Sequence, residues 1–216
     1  MTARSIRVYR DLMGANATWA ARTRSLLKRK NVTMLNLIGA PGSGKTMLLE
    51  KTARRLRGAR FAVLEGDVET TRDAERIHKL GIPVSQLLTG GACHLEAKLV
   101  HHALRDLPLD ALDLVIVENV GNMVCPAEFD IGEHAKVAVL SVAEGEDKPL
   151  KYPLLFRECR AVVLTKTDLL PHLSFDRKAC VRFIRQVNAS VPLFQVSAKT
   201  GAGLKEWAAW VMQAGR

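Results

Sequence analysis

The 216 residues carry 32 Lys and Arg against 22 Asp and Glu, a net charge of +10, and 48% of them are apolar. That length suits one domain with a full core. The sequence has no apolar run of the roughly 18 residues a membrane helix needs and no apolar leader at its start, so the expectation is a chain that neither spans nor enters a membrane. The charge is unevenly placed: Arg4, Arg7, Arg10, Arg22, Arg24, Lys28, Arg29 and Lys30 face one acid, Asp11, which puts +7 of the total in residues 1–30. The rest is nearly balanced, which argues against a nucleic-acid-binding face. The basic segment is either an arm for an acidic partner protein or a solvated helix face.

Taken in order, residues 12–30 place Trp19, Thr23, Leu26 and Leu27 at helical spacing and predict a basic amphipathic helix packed on the domain. A strand is expected over 33–38, a helix over 44–57 ended by Gly58, and a strand over 61–64 that leads into Glu65-Gly-Asp67. A helix over 71–80, a short strand over 84–88 and a helix over 95–106 follow. Apolar strands are expected at 114–117, 137–142, 161–164 and 193–196, with a last helix over 203–213. Continuous apolar strands alternating with helices predict an α/β fold, a mostly parallel sheet covered by helices on both faces.

Between the first strand and its helix stands Gly39-Ala-Pro-Gly-Ser-Gly-Lys45-Thr46. Strand, glycine-rich turn and helix are the context in which the spacing G-x-x-x-x-G-K-T marks a phosphate-binding loop. Gly39, Gly42 and Gly44 free the backbone N–H groups, Ser43's among them, to face phosphate oxygens. The helix N-terminus adds its dipole, Lys45 neutralises the β- and γ-phosphates, and the Thr46 hydroxyl is placed for Mg²⁺. Two distal stretches select the base. Thr165-Lys-Thr-Asp168 follows a strand, where Asp168 accepts from guanine N1–H and its amine and the Lys166 stem covers the ring; Ser197-Ala198-Lys199 offers a backbone N–H to guanine O6. These resemble the guanine loops N-K-x-D and S-A-K of GTPases, with Thr165 where Asn is usual and a weaker hold on guanine expected. GTP is therefore expected over ATP. Asp67 and Glu118 end apolar strands, where α/β sheets put ligand-contacting groups, and are expected to hold Mg²⁺ or orient the attacking water, the alternative being carboxylates that cap loop N–H groups.

A second chemistry is carried by Cys93, His94 and Cys125. Two thiolates and an imidazole suit Ni²⁺, Zn²⁺ or Cu⁺, and water or a two-fold partner would complete the shell; unrelated cysteines are the alternative. Cys159, in a strand-like segment, and Cys180, in a helical one, are expected to be buried structural thiols.

The blocks Gly39-Ala-Pro-Gly-Ser-Gly-Lys-Thr46, Glu65-Gly-Asp-Val-Glu-Thr-Thr-Arg-Asp-Ala-Glu-Arg-Ile77, Thr89-Gly-Gly-Ala-Cys-His-Leu-Glu96, Glu118-Asn-Val-Gly-Asn-Met-Val-Cys-Pro126 and Ser141-Val-Ala-Glu-Gly-Glu-Asp-Lys-Pro-Leu-Lys-Tyr-Pro153 resemble the HypB-type GTPases of [NiFe]-hydrogenase maturation. The similarity spans about residues 12–213. It implies a P-loop GTPase of the SIMIBI class, alongside the urease-accessory and signal-recognition GTPases, with slow turnover since no catalytic glutamine or arginine finger is evident. It further implies a nucleotide-linked homodimer, a Ni²⁺ site at Cys93, His94 and Cys125 that Zn²⁺ can share, a partner nickel metallochaperone, and delivery to the hydrogenase large subunit in the cytoplasm. The expected division is a basic helical arm over 1–30 and a P-loop GTPase domain over 31–216. Residues 1–30 hold neither Cys nor His, so nickel storage is not expected there. Lys148 lies in a family block, as a nucleotide or subunit contact or a plain surface lysine. A urease-type accessory GTPase, whose usual Cys-Pro-His reads Cys125-Pro-Ala here, an ATP-dependent P-loop kinase and a non-hydrolysing interaction module are the rival expectations.

Overall fold

One strand shows how the sequence divides the core. Successive side chains of a strand point to opposite faces. In β1 (Thr33–Ile38), Leu35 and Leu37 pack into one apolar cluster, while Met34 and Ile38 pack into two others on the opposite face. The computed structural model describes residues 3–56, 58–67 and 72–214. Residues 68–71 of the block after Glu65, the first residue of the helix expected over 71–80, and the side chains of Arg4, Arg7 and Arg10 lie outside what is described.

The chain runs α1 (Ala3–Lys30), β1, α2 (Lys45–Arg55), β2 (Phe61–Asp67), α3 (Arg72–His78), β3 (Val84–Leu88) and α4 (Ala97–Arg105). It continues through β4 (Leu114–Glu118), α5 (Cys125–Glu128), β5 (Ala135–Ser141), α6 (Lys148–Lys151), α7 (Pro153–Glu158) and β6 (Ala161–Thr165). Helix α8 (Arg177–Val187), β7 (Leu193–Gln195) and α9 (Leu204–Val211) close it. The seven strands form one sheet in the order β3-β2-β4-β1-β5-β6-β7, every pair parallel. Helices α2, α3 and α9 bury Leu48, Ile77 and Trp207 on one face; α1, α4, α7 and α8 bury Leu27, Val100, Leu155 and Ile184 on the other. Burial on both faces is why the strands read as continuous apolar runs. This is the α/β architecture expected from the alternating pattern, with the fold of a P-loop NTPase.

Several elements differ from expectation. Helix α1 starts at Ala3 rather than near residue 12, because no proline precedes Gly14 and the helix passes through that glycine. Strand β2 continues through Glu65 to Asp67, paired with β3 and β4. Helices α5, α6 and α7 were not expected; each carries a proline in its first turn, a start signal that such short segments make easy to overlook. Cys159 caps the end of α7 instead of lying in a strand.

Helix α1 packs along α4. Ala20, Thr23 and Leu27 are buried, and Thr23 Oγ1 lies 3.2 Å from His101 Nδ1. Asn16 ties the pair to the neighbouring loop, accepting the Ala97 N–H at 2.9 Å and donating to the Asp130 carbonyl at 2.8 Å. Arg22, Arg24, Lys28 and Arg29 face solvent, Arg24 paired with Asp130.

Across the sheet, Trp207 is 1% exposed and its Nε1–H donates to Thr52 Oγ1 at 2.8 Å. Truncating a buried aromatic removes its burial and leaves a cavity. Trp207→Ala is expected to lower unfolding stability by about 3–5 kcal/mol in denaturant titrations, and Thr52→Val, which orphans the indole N–H, by about 1–3 kcal/mol.

Candidate functional site

The parallel register aligns the strand ends. Glu118 stands opposite Leu37 on one side and Glu65 on the other, so the exit of β1 and the carboxylates of β2 and β4 share one edge. That edge, outside the carboxyl ends of the strands, is where open α/β sheets bind ligands. Here the chain turns through residues 39–44 and enters α2 at Lys45. Gly44, just before the helix, has φ +91°, a conformation that side chains resist. The first N–H groups of α2 have no partner within the helix and point at the turn.

A cavity of about 580 Å³ opens at this point, lined by Gly42, Gly44, Lys45 and Thr46 with Asp67 and Glu118 opposite. Gly39 packs against the Val139 carbonyl, and Ser43 is fully buried in the turn. Lys45 is 6% exposed, and its ammonium donates to the carbonyls of Gly39 at 3.2 Å and Ala40 at 3.3 Å, which holds it over the turn. Thr46 Oγ1 donates to Glu118 Oε1 at 2.8 Å. A hydroxyl beside two strand-end carboxylates is a hard-oxygen set suited to Mg²⁺. Arg76 of α3 also lines the cavity, fixed to Glu50 of α2 at 2.9 and 3.1 Å. Sequence reasoning passed over Arg76; its signal was its place on the helix that follows the Asp67 strand end.

On the far side of the cavity, Lys166 adopts φ +58°, rare for a residue with a side chain and frequent at sites the fold over-determines. Its Nζ donates to the Gly42 carbonyl at 2.7 Å, which lays the aliphatic stem along the cavity wall. Thr165 lines the cavity, but its hydroxyl is turned toward the glycine turn. Its hydroxyl donates to the Ser43 carbonyl at 2.6 Å and lies 3.3 Å from that of Leu140, tying β6 to the glycine turn. Ser197 Oγ donates to Asp168 Oδ1 at 2.6 Å and accepts the Thr200 N–H at 3.1 Å, which fixes the carboxylate, although neither Asp168 nor Ser197 is among the residues lining the cavity. Ala198 lines the cavity, whereas Lys199 is exposed and outside the lining.

Cys93 and His94 follow β3 in the loop before α4, and Cys125 opens α5. Their ligand atoms all lie within 4.8 Å of one another. The two Sγ atoms are 3.0 Å apart, and Cys93 Sγ is 3.7 Å from His94 Nδ1. The His94 ring packs tilted against Phe129 with centroids 3.8 Å apart, and its Nε2 is buried with no hydrogen-bond partner among the described residues. Burial lowers the His94 pKa, against the opposing pull of Glu96 and Glu128, so the ring is held in the neutral form that binds metal. The hydrogen bond with Cys93 raises the Cys125 pKa, helped by burial and by repulsion from a Cys93 thiolate. A cation that replaced the shared proton would relieve that repulsion, so the donor set fits a soft or borderline divalent ion. Cys159 and Cys180 are elsewhere, buried in the core, with burial pushing both thiols up to about 12. Lys148 begins α6, its ammonium 5.5 Å from the centre of the Tyr152 ring.

The family model for the CobW/HypB/UreG nucleotide-binding domain matches residues 33–195. Hydrogenase maturation factor HypB of Azotobacter vinelandii is 49% identical over 209 residues, covering 96% of this chain and 69% of that protein. The HypB of Escherichia coli K12 is 46% identical over 209 residues, covering 96% of this chain and 72% of that one. The crystal structure of HypB from Helicobacter pylori in complex with nickel superposes with a TM-score of 0.89 at 35% identity, over 94% of this chain and 95% of the other. In fold, in the residues along its sheet edge and in sequence, the chain belongs to the CobW/HypB/UreG family of P-loop NTPases, among its HypB members.

Proposed function

We propose that this protein is a GTP-hydrolysing nickel metallochaperone of [NiFe]-hydrogenase maturation. The observation that carries the proposal is that one short loop, residues 118–125, begins at a carboxylate of the nucleotide cavity and ends at a thiol of the Cys93–His94–Cys125 cluster. Relatives named hydrogenase maturation factor, and one crystallised with nickel, support it.

In this proposal the phosphates of GTP lie on the N–H groups of residues 39–46, Gly39, Gly42, Ser43 and Gly44 supplying the cradle and Lys45 neutralising the β- and γ-oxygens. Thr46, Asp67 and Glu118 hold Mg²⁺, which when bound neutralises charge on the transferred phosphoryl group. Asp67 or Glu118 orients the attacking water. Arg76 is committed to Glu50, and a wall residue so fixed leaves hydrolysis slow. Asp168 accepts from the guanine edge, the Lys166 stem covers the ring, and the backbone at Ser197, Ala198 and Lys199 meets O6. Thr165 serves the turn instead of the base, which removes one contact to guanine. Cys93, His94 and Cys125 take Ni²⁺ as cargo, and Zn²⁺ fits the same donors. A second protomer completes the coordination in the GTP state, and a nickel chaperone and the hydrogenase large subunit stand before and after it. The segment 1–30 acts as a helical arm on a GTPase domain over 31–216. Among the described residues no helix is long and apolar enough to cross a membrane. In this proposal the protein resides in the cytoplasm, the compartment in which thiols such as Cys93 and Cys125 stay reduced.

Base selection rests on Asp168, since adenine offers an acceptor where guanine offers N1–H. Asp168→Ala is expected to weaken GTP binding tenfold or more, on the scale of roughly 1.5–3 kcal/mol per hydrogen bond to a charged group. Its ATP affinity, measured by nucleotide competition, should stay within about twofold of the parent's. An unchanged GTP preference in the variant would take base selection away from Asp168, and a preference for ATP in the parent would favour the kinase alternative.

Nickel binding, followed with no nucleotide, GDP or a non-hydrolysable GTP analogue while the mass is tracked, tests the remainder. The affinity or stoichiometry is expected to depend on nucleotide, with a dimer in the GTP-like state. Cys93→Ala should abolish nickel binding at the cluster without lowering GTP affinity; unchanged stoichiometry in this variant sinks the metal assignment.

A further inference from the structure

Between Glu118 and Cys125 the chain reads Asn119-Val-Gly-Asn122-Met-Val, and its two asparagines reach across to the residues around His94. Asn119 is 1% exposed. Its Oδ1 accepts the N–H of Leu95 at 3.3 Å and of Val120 at 3.0 Å, while Nδ2 donates to Asn36 Oδ1 of β1 at 3.1 Å. Asn36 in turn donates to Glu133 at 3.3 Å, so this amide cannot turn over without stranding buried polar groups. Asn122 donates from Nδ2 to the Cys93 carbonyl at 3.2 Å and accepts the Val124 N–H at 2.9 Å. The backbone on both sides of His94 is thus gripped by side chains of the loop that starts at Glu118.

The same loop presses on the glycine turn. Gly121 lies so close to Pro41 that a Cβ would stand 2.9 Å from Pro41 Cγ and 3.0 Å from its backbone nitrogen. Asn122 also forms an antiparallel bridge with Gly39. A displacement of residues 39–41 therefore meets Gly121 and Asn122 with no intervening gap, and Asn122 hands it to the Cys93 carbonyl. Simple packing of the loop would need only apolar side chains. Two amides spanning backbone to backbone give a directional link.

We infer that Asn119 and Asn122 are positioning residues that couple the nucleotide state at the glycine turn to the spacing of Cys93, His94 and Cys125. The inference rests on the nucleotide-linked nickel function proposed above. Coupling of this kind is reciprocal: the factor by which a GTP analogue changes nickel affinity equals the factor by which nickel changes analogue affinity.

The test measures both factors on the full chain, with Ni²⁺ by chelator competition and with labelled nucleotide. The parent protein should give one common factor, in the range of about 5 to 150. Asn122→Asp keeps the acceptor for Val124 and removes the donor to Cys93; the position is exposed at its Cys93 bond, so folding is not at stake. Both factors should fall to within about twofold of unity, with nickel stoichiometry unchanged, and Asn119→Ala should do the same. A loss of stability alone would lower signal without equalising the two nucleotide states. Variants that keep the parental factor overturn the inference alone. A factor of one in the parent protein overturns the nucleotide-linked function and this inference with it.

Discussion

Strands that run the same way must finish on the same edge, and most of what this molecule presents depends on that constraint. With seven parallel strands, the exit of β1, the carboxylates of β2 and β4, the turn after β5 and the corner after β6 lie side by side. Register decides which groups they present. A slip of one residue in β4 would turn Glu118 from the cavity toward the opposite face of the sheet. What prevents the slip is burial on both faces: Val115 and Val117 pack toward α1 and α4, Leu114 and Ile116 toward α2 and α9, and either set would be misplaced by a shift.

Two chemistries with opposite preferences share this edge. Around Thr46 the groups are hydroxyl and carboxylate oxygens, hard donors for hard cations. Around Cys93 they are thiol and imidazole, softer donors held in a half-exposed loop. Their separation along the edge is short, and the 118–125 loop crosses it. Buried amides at Asn36 and Asn119 make that crossing rigid, at the cost of placing polar groups between the sheet and its helices, where each has to be satisfied.

The parts that were legible in the sequence follow from local rules. The glycine spacing with its Lys45 and Thr46, the strand at 33–38 and the alternation of apolar runs with helices each report on a few neighbouring residues, and the sheet follows from their succession. Convergence of Cys93 and Cys125, 32 residues apart, is set by strand order; their residue types left it open beside unrelated cysteines, and the family resemblance strengthened it. The destination of the Thr165 hydroxyl was equally hidden, because the Ser43 carbonyl it reaches is 122 residues away. Arg76 and the two asparagines went unnoticed for a related reason: arginine and asparagine are ordinary surface residues until tertiary structure gives them partners. The extent of α1 was underestimated because its apolar spacing is clearest only where α4 covers it.

The anchoring of Ala97 by Asn16 makes the thiol loop mechanically lopsided. Downstream of His94 the chain enters α4, whose first N–H is held by a side chain of α1 that also grips the Asp130 carbonyl. Upstream it leaves through Gly90 and Gly91, exposed and with open space where a side chain would sit. Swinging the loop about its helical end would mean undocking α1, while at the glycine end the side-chain ties to break are single bonds, Thr89 to the Ala92 carbonyl and Asn122 to the Cys93 carbonyl. The wall around the thiols is therefore built like a gate with one fixed post, and the direction in which it yields is written into the position of an asparagine 77 residues before Cys93.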